Sequence, residues 1–272
     1  NRFKSKIKHF LLHNNSNNTY RVDRKEIINF LEELRINKGT EEINFIGSGR
    51  SALNAIDNID KDNLVIGGNF TCLLPVYQHL YFTEWCGARH KLIIPKIKEI
   101  YSKRSRYIGL LIMKNLSCKY NNLPFNSDYS VSNRYLYEAS MPIVTKRQLT
   151  TFIKQSINKK NKFICQSSSS TITAIFLAYL SGFKKIKLYG VDFGGGYFWD
   201  LEEFKNNSKD IMLMPDNPIR DYKYGSVNLY PKPSSNFKHA TELANIPVSS
   251  IIEILKKHFA KDGFIIENHS KL

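Results

Sequence analysis

The chain has 272 residues, 42% of them hydrophobic and 12% aromatic, which suits one large α/β domain and excludes a disordered chain. Its 40 Lys and Arg against 24 Asp and Glu leave a net charge of +16, a field that attracts phosphorylated substrates, nucleic acid or anionic lipid. No apolar run reaches the ~20 residues that span a bilayer. The four cysteines, Cys72, Cys86, Cys118 and Cys165, form no CxxC pair, so a reduced, cytoplasmic protein is expected.

The chain opens on Asn1 rather than Met, as expected of a domain cut from a longer chain. Asn1 to Leu12 (NRFKSKIKHFLL) is basic and weakly amphipathic. Its apolar part is too short for a signal peptide and lacks a small-residue cleavage site, so peripheral contact with the inner face of the cell membrane is expected. Residues 13–20 (HNNSNNTY) read as a polar linker. A helix capped by Asp23 is predicted over Arg24 to Ile36, with Ile27, Ile28, Phe30, Leu31 and Leu34 on one face. Residues 1–42 are thus a basic segment and helix ahead of a single α/β domain over 43–272.

That domain begins with a short strand, Glu42 to Ile46, running into Gly47-Ser48-Gly49-Arg50-Ser51 and a predicted helix, Ala52 to Ile59. A second strand, Asn63 to Ile66, ends in Gly67-Gly68-Asn69-Phe70. Strand, glycine turn, helix, strand is a βαβ unit and predicts a mostly parallel, twisted, Rossmann-like sheet flanked by helices. Leu92 to Ile94 and Tyr107 to Met113 read as strands. Residues 114–146 are polar with little period and read as a loop or lid, and a second insertion is placed around 198–240. Further elements are a basic helix over Lys146 to Lys159, a buried helix over Thr171 to Ser181 closed by Gly182, and a strand over Lys185 to Val191. An amphipathic helix over Ser249 to His258 and a strand over Phe264 to Ile266 complete the chain.

Four places offer chemistry. In the GSGRS turn, backbone N–H groups approach a phosphate or ribose closely. A dinucleotide or S-adenosylmethionine site needs an acidic residue after the second strand; here that place holds Asn69 and Phe70, so a methyltransferase is disfavoured. The asparagine amide suits a neutral pyrimidine edge or a sugar hydroxyl. Ser167 to Ser170 precede a buried helix and offer hydroxyls for an anion, or an ordinary N-cap. Asp192 ends a strand, where α/β ligand sites lie, and the three glycines after it lead to Tyr197, a hydrogen-bond donor for a leaving phosphate or a packing residue. His239, in a polar stretch, is a general-base candidate at neutral pH; His79 and His90 are lone candidates with less context. Asp60-Lys61-Asp62 has the DxD shape of a metal site but precedes a strand, so it reads as turn chemistry.

Together these motifs resemble the bacterial family-42 sialyltransferases. Those enzymes open with strand–GNGPS–helix and a second strand ending in Asn, matched here by GSGRS and Asn69. They enter a buried helix through Thr-Ser-Gly, where this chain has Ser169 and Ser170. They then carry Gly-Tyr-Lys-x-Ile-x-Leu-x-Gly-Ile-Asp-Phe, which Gly182 to Phe193 (GFKKIKLYGVDF) matches closely. The resemblance implies a GT-A-type variant of the nucleotide-binding α/β fold with a small lid. It implies inverting transfer of a sialic-acid-type sugar from CMP-sialic acid to a glycan or glycolipid acceptor such as lipooligosaccharide or capsule, with no metal or other cofactor. His239 would be the base and Tyr197 would act on the leaving phosphate. Gly47, Ser48, Gly49, Ser51, Asn69, Phe70, Glu84, Ser169, Ser170 and Asp192 would hold the donor. No nucleic-acid partner is implied, and a homo-oligomer is allowed.

The chain departs from that pattern at Ser48 and Arg50, which stand for Asn and Pro, at Ser167 for Arg, and at Gly194 for the first of two tyrosines. Another CMP-activated 2-keto sugar (Kdo, legionaminic or pseudaminic acid) therefore stays open as donor. So does a non-catalytic basic module for anionic glycan or nucleic acid.

Overall fold

The protein is described by a computed structural model over residues 21–22, 24–85, 108–115, 135–140, 145–158, 164–166, 169–202, 204, 223–224, 227–228 and 246–270. The strands are β1 (Arg21–Val22), β2 (Glu42–Ile46), β3 (Val65–Gly68), β4 (Gln78–Trp85), β5 (Ile108–Asn115), β6 (Tyr135–Ser140), β7 (Ile164–Gln166), β8 (Lys185–Tyr189), β9 (Lys223–Tyr224), β10 (Val227–Asn228) and β11 (Ile265–Asn268). The α-helices are α1 (Arg24–Lys38), α2 (Asn54–Asn58), α3 (Lys146–Ile157), α4 (Ser170–Leu180) and α5 (Val248–Phe259).

Nine strands form one sheet in the order β1-β6-β5-β4-β3-β2-β8-β11, with β7 beside β6. Every pairing in it is parallel. β1 and β7 share one edge of β6, β1 along Tyr135 and Leu136 and β7 along Glu138 to Ser140. β9 and β10 form a separate antiparallel pair. The helix-flanked α/β architecture expected from the βαβ pattern is therefore present. From β2 the chain steps outward through β3, β4, β5 and β6, then returns to the other side of β2 with β8 and β11. The point where the winding reverses lies between β2 and β8. Crossovers leave their carboxyl ends in opposite directions, which opens a crevice there.

The pleat of β2 and β8 sorts side chains onto two cores. Ile43, Phe45, Ile186 and Leu188 point to the face covered by α1, α3, α4 and α5, where they join Ile27, Leu31, Phe152, Phe176 and Phe259. Ile46 and Tyr189 point the other way, with Ala52, Ala55, Tyr81, Phe198 and Trp199. Helix α1 thus belongs to the same core as β2. Helix α4 is buried at every position from Thr171 to Ala178, as its unbroken apolar sequence requires. It stops at Gly182, whose φ of +77° is the left-handed turn expected there. Helix α5 buries Val248, Ile251, Ile252, Leu255 and Phe259, one apolar stripe.

Buried polar groups tie these layers together. Arg24, 2% exposed, donates from Nη1 to the Ser156 carbonyl (2.8 Å) and from Nη2 to the Asn158 carbonyl (2.6 Å), closing the carboxyl end of α3. The amino end of α3 is a capping box: Thr145 Oγ1 accepts from Gln148 N–H, and the Gln148 side chain accepts from Thr145 N–H.

The structure corrects three expectations. The helix over 52–59 is a 3₁₀ turn, Arg50–Leu53, followed by the single α-turn of α2; hydrogen bonds from Ser51 to Asp192 tighten its start. Within the stretch read as a loop, Tyr135–Ser140 is strand β6, and neighbours on both sides supply the pairing that its polar sequence does not advertise. The strand expected to reach Val191 ends at Tyr189, because Gly190 turns with φ +64°. The strand expected over 92–94 lies outside the described residues.

Candidate functional site

The two loops at the reversal point are stitched to each other. Gly47 N–H donates to the Tyr189 carbonyl (2.8 Å) and Gly49 N–H to the Gly190 carbonyl (2.9 Å), so the GSGRS turn extends the β2–β8 ladder past its end. A Cβ at Gly47 would stand 2.5 Å from the Gly190 oxygen, and one at Gly190 would collide with the Gly47 carbonyl. Close backbone approach, rather than an open turn, is what these glycines serve.

Ser51 and Asp192 lock the pair. Ser51 N–H donates to Asp192 Oδ2 (2.9 Å), Ser51 Oγ donates to Oδ1, and the same Oγ accepts from Gly190 N–H (3.1 Å). Burial pushes the Asp192 carboxyl above its usual range. The Ser51 hydroxyl, the Ser51 and Arg50 backbone N–H groups and the Arg50 charge pull against that shift. Gly49 fits beside this carboxylate because a Cβ there would lie 2.5 Å from Oδ2. Behind the loop, Ser270 Oγ accepts from Val191 N–H (2.8 Å), so the segment after β11 also braces it.

The glycine run bends back over the crevice. Phe193 is held at φ +61°, and Gly195 and Gly196 follow at +77° and +95°. A non-glycine residue in that region costs on the order of 1 kcal/mol or more and is found where surrounding contacts impose it. The run delivers Tyr197 to an antiparallel bridge with Gly49, and Phe198 N–H donates to the Ser48 carbonyl (3.2 Å). The Tyr197 ring stacks on Trp199 at 4.4 Å and 6°. The structure therefore brings together Gly47, Ser48, Gly49, Ser51, Asp192 and Tyr197.

Asn69 and Phe70 open the 3₁₀ turn Asn69–Leu73 at the carboxyl end of β3, one strand over from Gly47. A buried network fixes this turn: Gly68 N–H donates to Thr71 Oγ1 (2.8 Å), which donates to Gln78 Oε1 (2.9 Å), and Gln78 Nε2 donates to the Thr71 carbonyl (2.7 Å). Gly67 makes room for that amide, which would clash with any Cβ. Glu84 lies in β4, in register with Lys114 of β5. The side chains of Asn69, Phe70 and Glu84 lie outside the described part of the structure.

The other candidates fall elsewhere. Ser169 is the N-cap of α4, its Oγ accepting from Thr171 N–H (3.2 Å), and Ser170 is the first helical residue. They follow β7, which lies at the β6 edge of the sheet. His239, His90, Ser167 and Ser168 lie outside the described residues. His79 is half-buried, its Nδ1 accepts from Val65 N–H (3.3 Å), and burial lowers its pKa to about 4. It is a neutral hydrogen-bond acceptor within the sheet. Asp60 closes a turn by accepting from Asn63 N–H (3.0 Å), as read from the sequence. Among the described residues, no three His, Cys, Asp or Glu gather as a metal site, and no helix is long and apolar enough to cross a membrane. Sequence reasoning missed Gly190, Thr71, Gln78 and Ser270; of these, only the Gly in Tyr189-Gly190-Val191-Asp192 carried a local signal.

Fold and site thus define a parallel α/β protein whose two glycine loops are hydrogen-bonded to each other at the winding reversal. No family model matches the sequence, and no curated protein matches it. Among solved structures, the chain is similar to the sialyltransferase CstII from Campylobacter jejuni in complex with cytidine-5'-monophosphate, at 14% identity and a TM-score of 0.38, over 84% of this chain and 79% of that one. It is also similar to sialyltransferase CST-II with a trisaccharide acceptor and CMP, at 15% identity and a TM-score of 0.34, over 72% of this chain and 92% of that one. A third structure, CstII from Campylobacter jejuni with CMP-3FNeuAc, shares 16% identity and a TM-score of 0.31, over 62% of this chain and 71% of that one.

Proposed function

We propose that the chain is a glycosyltransferase that moves a sialic-acid-type sugar from a CMP donor to a glycan acceptor of the cell surface, such as lipooligosaccharide or capsule. One observation carries the reading: the segment that matches the sialyltransferase pattern most specifically, Gly182 to Phe193, ends at the reversal point, where its Asp192 is joined to Ser51 of the Gly47-to-Ser51 turn. The absence of an acidic residue after β3, where Asn69 stands, favours CMP over a dinucleotide.

In this reading the Gly47–Gly49 loop, Asn69, Phe70 and Glu84 surround the nucleotide, while Ser169 and Ser170, which follow β7 at the β6 edge, serve as the start of α4. The acceptor hydroxyl attacks the anomeric carbon of the donor. His239 takes its proton as the C–O bond to phosphate breaks, and CMP leaves from the opposite face, inverting the centre. Tyr197 donates to the departing phosphate, on which one further negative charge develops as the phosphodiester of the donor becomes the monoester of CMP. A peripheral site on the inner membrane face suits the basic chain and a lipid-linked acceptor. The net charge of +16 also supports a second reading, a non-catalytic module for anionic glycan or nucleic acid.

The test is CMP release from CMP-sialic acid, CMP-Kdo and CMP-legionaminic or CMP-pseudaminic acid, with wild type and His239→Ala. We expect release from one donor and a loss of about a hundredfold or more in His239→Ala, the usual contribution of a general base. Full transfer by His239→Ala removes the base assignment. Failure to bind or hydrolyse any CMP sugar, together with salt-sensitive binding to polyanions, supports the second reading instead.

A further inference from the structure

We infer that Arg50 is the phosphate-binding residue of the crevice, its guanidinium receiving the phosphate monoester of a nucleoside monophosphate. The inference rests on the proposed function and adds a residue to the same site.

Arg50 stands at the reversal point itself, on the turn between Gly49 and Ser51. Its backbone is fixed from both sides, by the Gly49–Tyr197 bridge and by the hydrogen bonds from Ser51 to Asp192. Its side chain runs along the glycine loop: a Cβ at Gly195 would sit 3.8 Å from Arg50 Cδ. Gly195, at φ +77°, resists replacement by a larger residue through its backbone conformation.

Asp192 is the acidic side chain beside it; the Arg50 charge favours that carboxylate through space, while the hydrogen bonds to it come from the Ser51 hydroxyl and the backbone N–H groups of Ser51 and Arg50. Among the described residues, the Arg50 side chain makes no ion pair and no hydrogen bond. An arginine held half-buried at a ligand crevice, beside a carboxylate it does not pair with, presents a planar fork of donors to an incoming anion. Phosphate oxygens match that fork, and a lysine at the same place would act only as a point charge.

Calorimetric titration of CMP, cytidine and inorganic phosphate into wild type, Arg50→Ala and Arg50→Lys tests the assignment. Losing a charge-assisted phosphate contact should weaken CMP binding by roughly ten- to a hundredfold in Arg50→Ala, leave cytidine binding unchanged, and give an intermediate loss in Arg50→Lys. Unchanged CMP affinity in Arg50→Ala overturns the assignment. So does an equal loss of CMP and cytidine, which would mean that Arg50 merely shapes the loop. If wild type binds neither CMP nor cytidine, the nucleotide reading fails by itself. Arg50 then stands if inorganic phosphate binds wild type and not Arg50→Ala, and falls if phosphate binding is absent or equal in both.

Discussion

Two titratable side chains show how burial acts on single residues here. Asp192 and His79 are both driven toward their neutral forms by desolvation. Asp192 has donors arrayed against it and sits at the crevice; His79 has one backbone donor and sits within the sheet. Their sequence contexts differ as well, since Asp192 lies just before a glycine run while His79 lies within the strand Gln78–Trp85. His79 carries a pH prediction. Its folded pKa of about 4 lies below the ordinary 6.5, so the unfolded chain takes up the proton first. The contribution is fully present above pH 6.5 and is lost as pH falls toward about 4. Glu42 and Glu267, held low by Lys187 and His269 respectively, lose stability over an acidic range as well. A comparison with His79→Gln, which keeps an acceptor for Val65 N–H, isolates the histidine. Thermal melting at pH 7 and pH 4.5 should show a larger drop in wild type than in His79→Gln. Equal drops would show that His79 is not the titrating group.

At the scale of elements, legibility followed periodicity. β2 and the helices α1, α3, α4 and α5 were readable because their apolar residues follow a clear pattern, and the ends of α3 and α4 carry Thr145, Ser169 or Gly182 besides. β6 was not, because its six residues, Tyr-Leu-Tyr-Glu-Ala-Ser, lie in a polar stretch with little period, and the strands it pairs with are distant in sequence. The 3₁₀ start at Arg50 was hidden for a related reason, since the contacts that set it come from Asp192, 141 residues away from Ser51. The Arg24 lock on α3 is equally long-range, at 132 residues to Ser156. It predicts that Arg24→Leu, which keeps bulk but leaves two carbonyls without donors, costs about 2–3 kcal/mol in urea unfolding. A cost below about 0.5 kcal/mol, the usual range for surface substitutions, would mean that the carbonyls are satisfied without Arg24.

For the molecule as a whole, the location of the crevice follows from strand order alone. β2 and β8 are neighbours although Ile46, the last residue of β2, and Lys185, the first of β8, are 139 positions apart (185 − 46), and each strand ends in a glycine turn. The sequence exposed both turns but not that they touch; adjacency is a property of the winding, which local patterns do not encode. Resemblance to the sialyltransferase pattern covered both turns before the fold joined them, and that convergence underlies the functional reading. The part of the site on residues 205–222 and 229–245, including His239, rests on the sequence.

Amide NMR spectra of the isotope-labelled chain, recorded as CMP is added, test without any substitution whether the paired loops after β2 and β8 form the proposed CMP site. Saturable shifts are expected at Gly47 to Ser51 and Gly190 to Tyr197, and weaker ones with UMP or AMP. No shifts with CMP, or shifts confined to residues away from these two loops, would overturn the proposal.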